Sequence, residues 1–164
     1  MRRKLAALAV VTAAAAATAA PAAAEERTCR GTLGAVTVDN LRVPQGATCR
    51  LTGTRVKGTV EVGRNATLHA LRIRVVGNVQ AENAARVNVT SSRVGGSVQI
   101  VQGRASRLVR TSVGGDVQYF ENRGAIVVTR NRIDGNLQCK ENRRRPTGGA
   151  NVVRGNKEDQ CRRL

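Results

Sequence analysis

From residue 56 onward, valine and other aliphatic residues recur with a fixed rhythm around a single glycine. The segments VKGTVE (56–61), VVGNVQ (75–80), VGGSVQ (94–99), VGGDVQ (113–118), IDGNLQ (133–138) and VRGNKE (153–158) put their glycines at 58, 77, 96, 115, 135 and 155, separated by 19 or 20 residues. A degenerate unit precedes them: VPQGATCRL (43–51) parallels VGRNATLHA (62–70) at the same offset. Inside each unit apolar and polar residues alternate with period two, as in a strand with one buried face. Val60, Val79, Val98, Val117 and Leu137 stand two residues after the glycine, and Val62, Ala81, Ile100, Tyr119 and Cys139 stand four after. Between them runs a polar column of Glu61, Gln80, Gln99, Gln118, Gln138 and Glu158. A second alternating segment carries Ala66, Leu68 and Ala70, echoed by Val87 and Val89. A third holds Val56, Val75, Val94, Val113, Ile133 and Val153, two residues before the glycine.

A repeat this short is too small for a helical hairpin repeat, and leucine is too scarce for a leucine-rich one. The pattern predicts an all-β protein: a right-handed, single-stranded parallel β-helix, or solenoid, of about six rungs. Each turn would hold three short strands around a roughly triangular section. A phosphate-binding loop would need each glycine to open a helix, and no helical periodicity follows any of them. The glycines instead read as corner residues that supply a positive φ. The column after them, Thr59, Asn78, Ser97, Asp116, Asn136 and Asn156, reads as turn chemistry.

The first 24 residues change the length available for folding. Arg2, Arg3 and Lys4 precede an alanine-rich apolar run and a small-residue stretch ending at Ala24, the layout of a cleaved secretory signal. Residues 1–24 are therefore expected to be a leader and 25–164 a single domain. Export also sets the expected state of the four cysteines, which favours disulfides. Cys29 and Cys49 lie 20 residues apart and Cys139 and Cys161 22 apart, about one turn in each case. Pairing across the two ends would span about five rungs, roughly 24 Å at ~4.8 Å per strand, beyond the ~7 Å Cα limit of a disulfide. The expected bridges are Cys29–Cys49 and Cys139–Cys161, one staple at each end. No Cys-x-x-Cys spacing exists and His69 is the only histidine, so no metal site and no cofactor is expected.

The VxGxVQ rhythm over roughly residues 36–158 resembles small secreted β-helix proteins, and its rung length is similar to the bactofilin type of polymer-forming helix. The bactofilin resemblance implies self-assembly. Bactofilins, however, are cytoplasmic and carry no disulfide staples, so a monomer is the expectation here. The ending GNLQCKENRRRPTGGANVVRGNKEDQC is also similar to that of exported bacterial proteins, a likeness that implies no activity.

Charge adds the one functional lead. Without the leader, three of the 28 basic residues are lost, leaving 25 against 11 acidic ones, a net charge of +14. Such a balance attracts polyanions. Tyr119 and Phe120 are the only aromatic residues, which argues against base stacking and specific nucleic-acid binding. Arg55, Arg74, Arg93 and Arg132 fall three residues before the glycines, with Ser112 at the equivalent place in the fourth unit. Arg72, Arg110 and Arg130 fall five before. Both sets are expected to face outward from the third strand, stacking into a basic stripe. The expected function is a non-enzymatic secreted module, associated with the cell wall, that binds an anionic wall polymer or acidic polysaccharide through this stripe. Two alternatives remain: a self-assembling structural protein, and a small polysaccharide-active enzyme. The enzyme would use Glu121 and Glu141, members of the recurring Glu-Asn pairs 82–83, 121–122 and 141–142. His69, between inward-reading Leu68 and Ala70, is expected to point to solvent.

Overall fold

A computed structural model describes residues 25–164; the expected leader, residues 1–24, lies outside them. The chain coils into a parallel β-solenoid of about seven turns, with no helix among the described residues. Each turn gives one short strand to each of three parallel sheets. The first sheet has eight strands, from Glu26–Thr28 and Asn40–Val43 to Lys157–Asp159. The second has seven, from Thr32–Leu33 to Thr147–Gly149, and the third seven, from Thr37–Val38 to Val152–Val153.

The alternating pattern maps onto the interior as expected. Val60, Val79, Val98, Val117 and Leu137 lie opposite one another in the first sheet and are all buried. Leu68 pairs with Val87 in the second sheet, and Val56, Val75, Val94, Val113 and Ile133 stack in the third. A buried Val or Leu contributes roughly 1.5–3 kcal/mol, so each turn adds its own share of the core. On the outer face of the first sheet the glutamines form an amide ladder. Gln99 Nε2 donates to Gln118 Oε1 (2.7 Å), Gln118 Nε2 to Gln138 Oε1 (2.8 Å), and Gln138 Nε2 to Glu158 Oε2 (2.8 Å).

The glycines hold their places for a different reason from the expected one. None of Gly58, Gly77, Gly96, Gly115, Gly135 and Gly155 has a positive φ. A Cβ on Gly77 would sit 2.7 Å from the carbonyl oxygen of Gly58, and one on Gly115 would sit 2.5 Å from Ser97 Oγ. Glycine is required because the turn below approaches too closely for a side chain. The polar residue after each glycine uses that space. Thr59 N donates to Asn40 Oδ1, Ser97 N to Asn78 Oδ1, Asp116 N to Ser97 Oγ and Asn136 N to Asp116 Oδ1, at 2.7–3.1 Å. The left-handed corners fall elsewhere, on Asn65, Asn83, Gln102, Glu121 and Glu141 between the first and second sheets. Between the second and third they fall on Gly53, Arg72, Ser91, Arg110 and Arg130. Their amides are tied to the next turn, as Arg72 N is to Thr90 O (3.1 Å).

The turn count exceeds the six motif copies because the first turn lacks the motif. Val38 pairs with Val56 and Leu41 with Val60, so three steps in the first turn match four in the second. The residue left out is the glycine, and Asn40 still supplies the oxygen for Thr59 N.

Asparagine ladders replace apolar side chains inside two corners near the C-terminus. Asn131 Oδ1 accepts from Thr111 N (2.9 Å), and its amide donates to Leu108 O and to Asn151 Oδ1 (both 2.9 Å). Asn122 and Asn142 do the same at the other corner, and Gln160 closes that ladder. No buried side-chain nitrogen or oxygen among the described residues lacks a partner. The cysteines pair as expected, Cys29–Cys49 with Cα atoms 5.6 Å apart and Cys139–Cys161 with 5.3 Å. The second bridge holds the closing turn of the chain over the last rung, where Cys161 and Leu164 are buried.

Candidate functional site

The third sheet is narrow, because each of its strands is only two residues long: one side chain enters the core and its neighbour leaves it. Arg55, Arg74 and Arg93 are the outward members of three consecutive strands, paired directly with one another. Ser112 continues the column and Arg132 follows it. The buried valine after each arginine fixes this direction, since one residue of register reverses the face.

Two unit charges one rung apart repel by only about 1 kcal/mol in water, and long guanidinium stems splay further. The fold therefore tolerates the column, and a polyanion laid along it gains from every member. Among the described residues no carboxylate forms an ion pair with Arg55, Arg74 or Arg93. Arg132 is less free, because Asp134 pairs with it at 3.6 Å and with Arg154 at 3.3 Å. At the N-terminal end Lys57 pairs with Asp39 at 2.9 Å. The hydrogen bond and charge of Lys57 hold the Asp39 carboxyl below its usual pKa.

Arg72, Arg110 and Arg130 depart from expectation. They do not belong to the third strand; they occupy the left-handed corner that precedes it, with φ of 53°, 50° and 55°. The corner consumes the residue between, so Ile73, Thr111 and Asn131 turn inward and are buried. These three arginines form a second, parallel column on the edge beside the stripe, broken by Ser91, to which Arg110 Nε donates at 3.3 Å. The sequence could not separate strand from corner here, because alternation alone gives the same inward and outward positions.

The carboxylates are placed as a ladder element. Glu121 and Glu141 hold equivalent corner positions on adjacent turns, where Glu121 Oε2 accepts from Gln102 Nε2 (2.8 Å) and Glu141 lies 3.8 Å from Lys140 Nζ. Asn122 and Asn142 turn inward. Glu82 and Asn83 are out of register with those pairs, since Glu82 lies opposite Val101. His69 sits on the outer face between Arg50 and Asn88, as expected, and accepts from Asn88 Nδ2 at 3.3 Å when its Nδ1 is unprotonated. Partial burial, then the charges of Arg50 and Arg86, lower its pKa. No group of three or more His, Cys, Asp or Glu residues among the described ones is arranged to hold a metal ion.

The sequence reading missed a further set of arginines, at the corner between the first and second sheets. Arg64, Arg104, Arg123 and Arg144 line an open groove there. Arg104 and Arg123 both stand eight residues after a glycine, but Arg64 stands six and Arg144 nine after theirs, because the corner segments differ in length, so no single offset marks all four. No protein-family model, no curated protein and no solved structure matches this chain.

Proposed function

We propose that the protein is an exported, non-enzymatic β-solenoid that binds an anionic wall polymer or acidic polysaccharide through the arginine column of its third sheet. The observation that carries this reading is the direct stacking of Arg55, Arg74 and Arg93 on consecutive strands without a carboxylate partner among the described residues. Strand spacing repeats the charge every ~4.8 Å along a straight line, which suits an extended polyanion better than a compact anion. The two disulfides are consistent with an extracellular protein, and no helix among the described residues is long and apolar enough to cross a membrane. The protein acts as a monomer in this reading, not as the polymer its bactofilin-like rhythm suggests. The disulfides near both ends, Cys29–Cys49 and Cys139–Cys161, support that choice.

The test replaces Arg55, Arg74, Arg93 and Arg132 together by Gln and measures retention on wall polymer or heparin-like resin. Counterion release makes the wild-type protein elute at a salt concentration that rises with the number of contacts. The quadruple variant keeps the other basic residues, so it is expected to elute at a clearly lower salt concentration than wild type, by the share of contacts that the column supplies. Unchanged retention would refute the reading.

A further inference from the structure

We propose that the groove at the corner between the first and second sheets is a second, independent binding site, for a ligand bearing several clustered phosphate or sulfate oxyanions. The corner is concave where the third sheet is flat. Arg104 N bonds Ala84 O and Arg123 N bonds Gly103 O, which sets these two arginines on successive turns. Arg144 approaches from the next turn and Arg64 from two turns before Arg104, and Glu82 is the only carboxylate among the lining residues. Four guanidinium groups against Glu82 and the neighbouring Glu121, whose Oε2 accepts from Gln102 of the lining, leave a local excess of at least two positive charges.

Two features shape the site. Arg104 donates from its guanidinium to Asn65 Oδ1, two turns away, so its head is held along the groove instead of sweeping through solvent. Gly124 forms part of the wall, and a Cβ there would fall on the carbonyl of Arg104. The backbone at this corner is drawn in as far as the neighbouring turn permits, and no side chain fills the space.

The open groove offers about 990 Å³, room for a multi-group ligand rather than a single ion. Guanidinium presents paired N–H donors that match a tetrahedral oxyanion in two directions at once. Several such forks around one concavity favour adjacent oxyanions on a single ligand. The site lies across the three-sided coil from the third sheet, so it does not extend the arginine column. It stands whether or not that column binds polymer.

The probes are inorganic tripolyphosphate and sucrose octasulfate, titrated calorimetrically into the whole protein at low salt. Wild type is expected to bind at least one of them, and the stronger one identifies the oxyanion. The variant Arg104→Gln/Arg123→Gln is expected to bind at least tenfold more weakly. Arg55→Gln/Arg74→Gln/Arg93→Gln is expected to bind within twofold of wild type, which separates this site from the column. Absence of binding by wild type, full binding by the groove variant, or an equal loss in both variants would each overturn the proposal. Thermal unfolding checks that the groove variant folds; if it does not, the single variant Arg123→Gln is read instead, with at least a threefold loss expected and no loss overturning the proposal.

Discussion

Replacing Asn131 by alanine tests whether the buried asparagine ladder holds the coil together or merely occupies it. Asn131 is 2% exposed and serves three partners at once. In the variant the amide of Thr111 loses its only side-chain acceptor, and Leu108 O and Asn151 Oδ1 lose a donor. Asn131 N can still bond Asn151 Oδ1 (3.0 Å), so one orphaned donor is the main loss, at about 1–3 kcal/mol. The space vacated adds about 1 kcal/mol of cavity cost in a wall that backbone hydrogen bonds keep from collapsing. The expected destabilisation is about 2–4 kcal/mol. The matched control is Asn156→Ala, where the side chain is exposed and holds no bond, with an expected cost below about 0.5 kcal/mol. Both are measured by equilibrium denaturant unfolding of the oxidised protein, with coincidence of two probes checking for partial unfolding. A loss for Asn131→Ala within about 0.5 kcal/mol of the control would refute the reasoning. The ladder would then be a passenger of the backbone bonds.

Further outcomes follow from the same geometry. Gly96→Ala should cost more than about 2 kcal/mol, because its Cβ would lie 2.9 Å from Gly77 O and collide with Asn78 Oδ1. Gly34→Ala, with nothing within 4 Å of the added atom, should stay within about 0.5 kcal/mol of wild type; equal effects in thermal melts would defeat the close-approach account. Tyr119 is fully buried beside Ser106 Oγ at 3.3 Å, and burial pushes its phenol up to about 12. Because this folded value exceeds the ordinary one near 10, the associated stability is complete below pH ~10 and is lost as the pH rises from there toward 12. Tyr119 is the only tyrosine, so phenolate absorbance that rose near pH 10 before unfolding would contradict its burial. If the third-sheet column and the corner groove both bind, one protein can hold two chains. Light scattering with a long polyphosphate should then peak at an intermediate mixing ratio and disappear in either Gln variant, whereas scattering that persists in both would show that bridging needs neither.

The fold was legible because its core is written in period-two alternation and its turns in a fixed repeat. The valine columns, the outward glutamines and both disulfides needed only the spacing of residues along the chain. The first turn escaped because it lacks the glycine that marks the others, although Asn40 preserves the hydrogen bond that glycine makes room for. The purpose of the glycines was also misread from sequence. A positive φ and a close approach both select glycine, and only the neighbouring turn distinguishes them. Apart from Gly53, Asn65 and Asn83, the true left-handed corners carry Gln, Glu, Ser and Arg, residue types that give no strong signal at such positions. The same ambiguity set Arg72, Arg110 and Arg130 on a strand when they lie on its preceding corner, and it hid the groove arginines among corner segments of unequal length.

The arginine columns are not a requirement of the coil. Ser112 occupies the same register as Arg93 and Arg132, and pairing passes through it unbroken. Thr37 and Val152 hold the equivalent places at the two ends. The backbone thus accepts a small hydroxyl, a β-branched residue or a guanidinium at this position without adjustment. Cohesion between turns comes from elsewhere: the buried valines, the glutamine ladder and the oxygens that follow each glycine. A row of like charges adds nothing to that cohesion and works against it by about 1 kcal/mol for each adjacent pair before salt screening. The column is thus a feature that the coil does not need, and the proposed binding role starts from that. A partner of opposite charge reverses the sign of that contribution at every rung it covers.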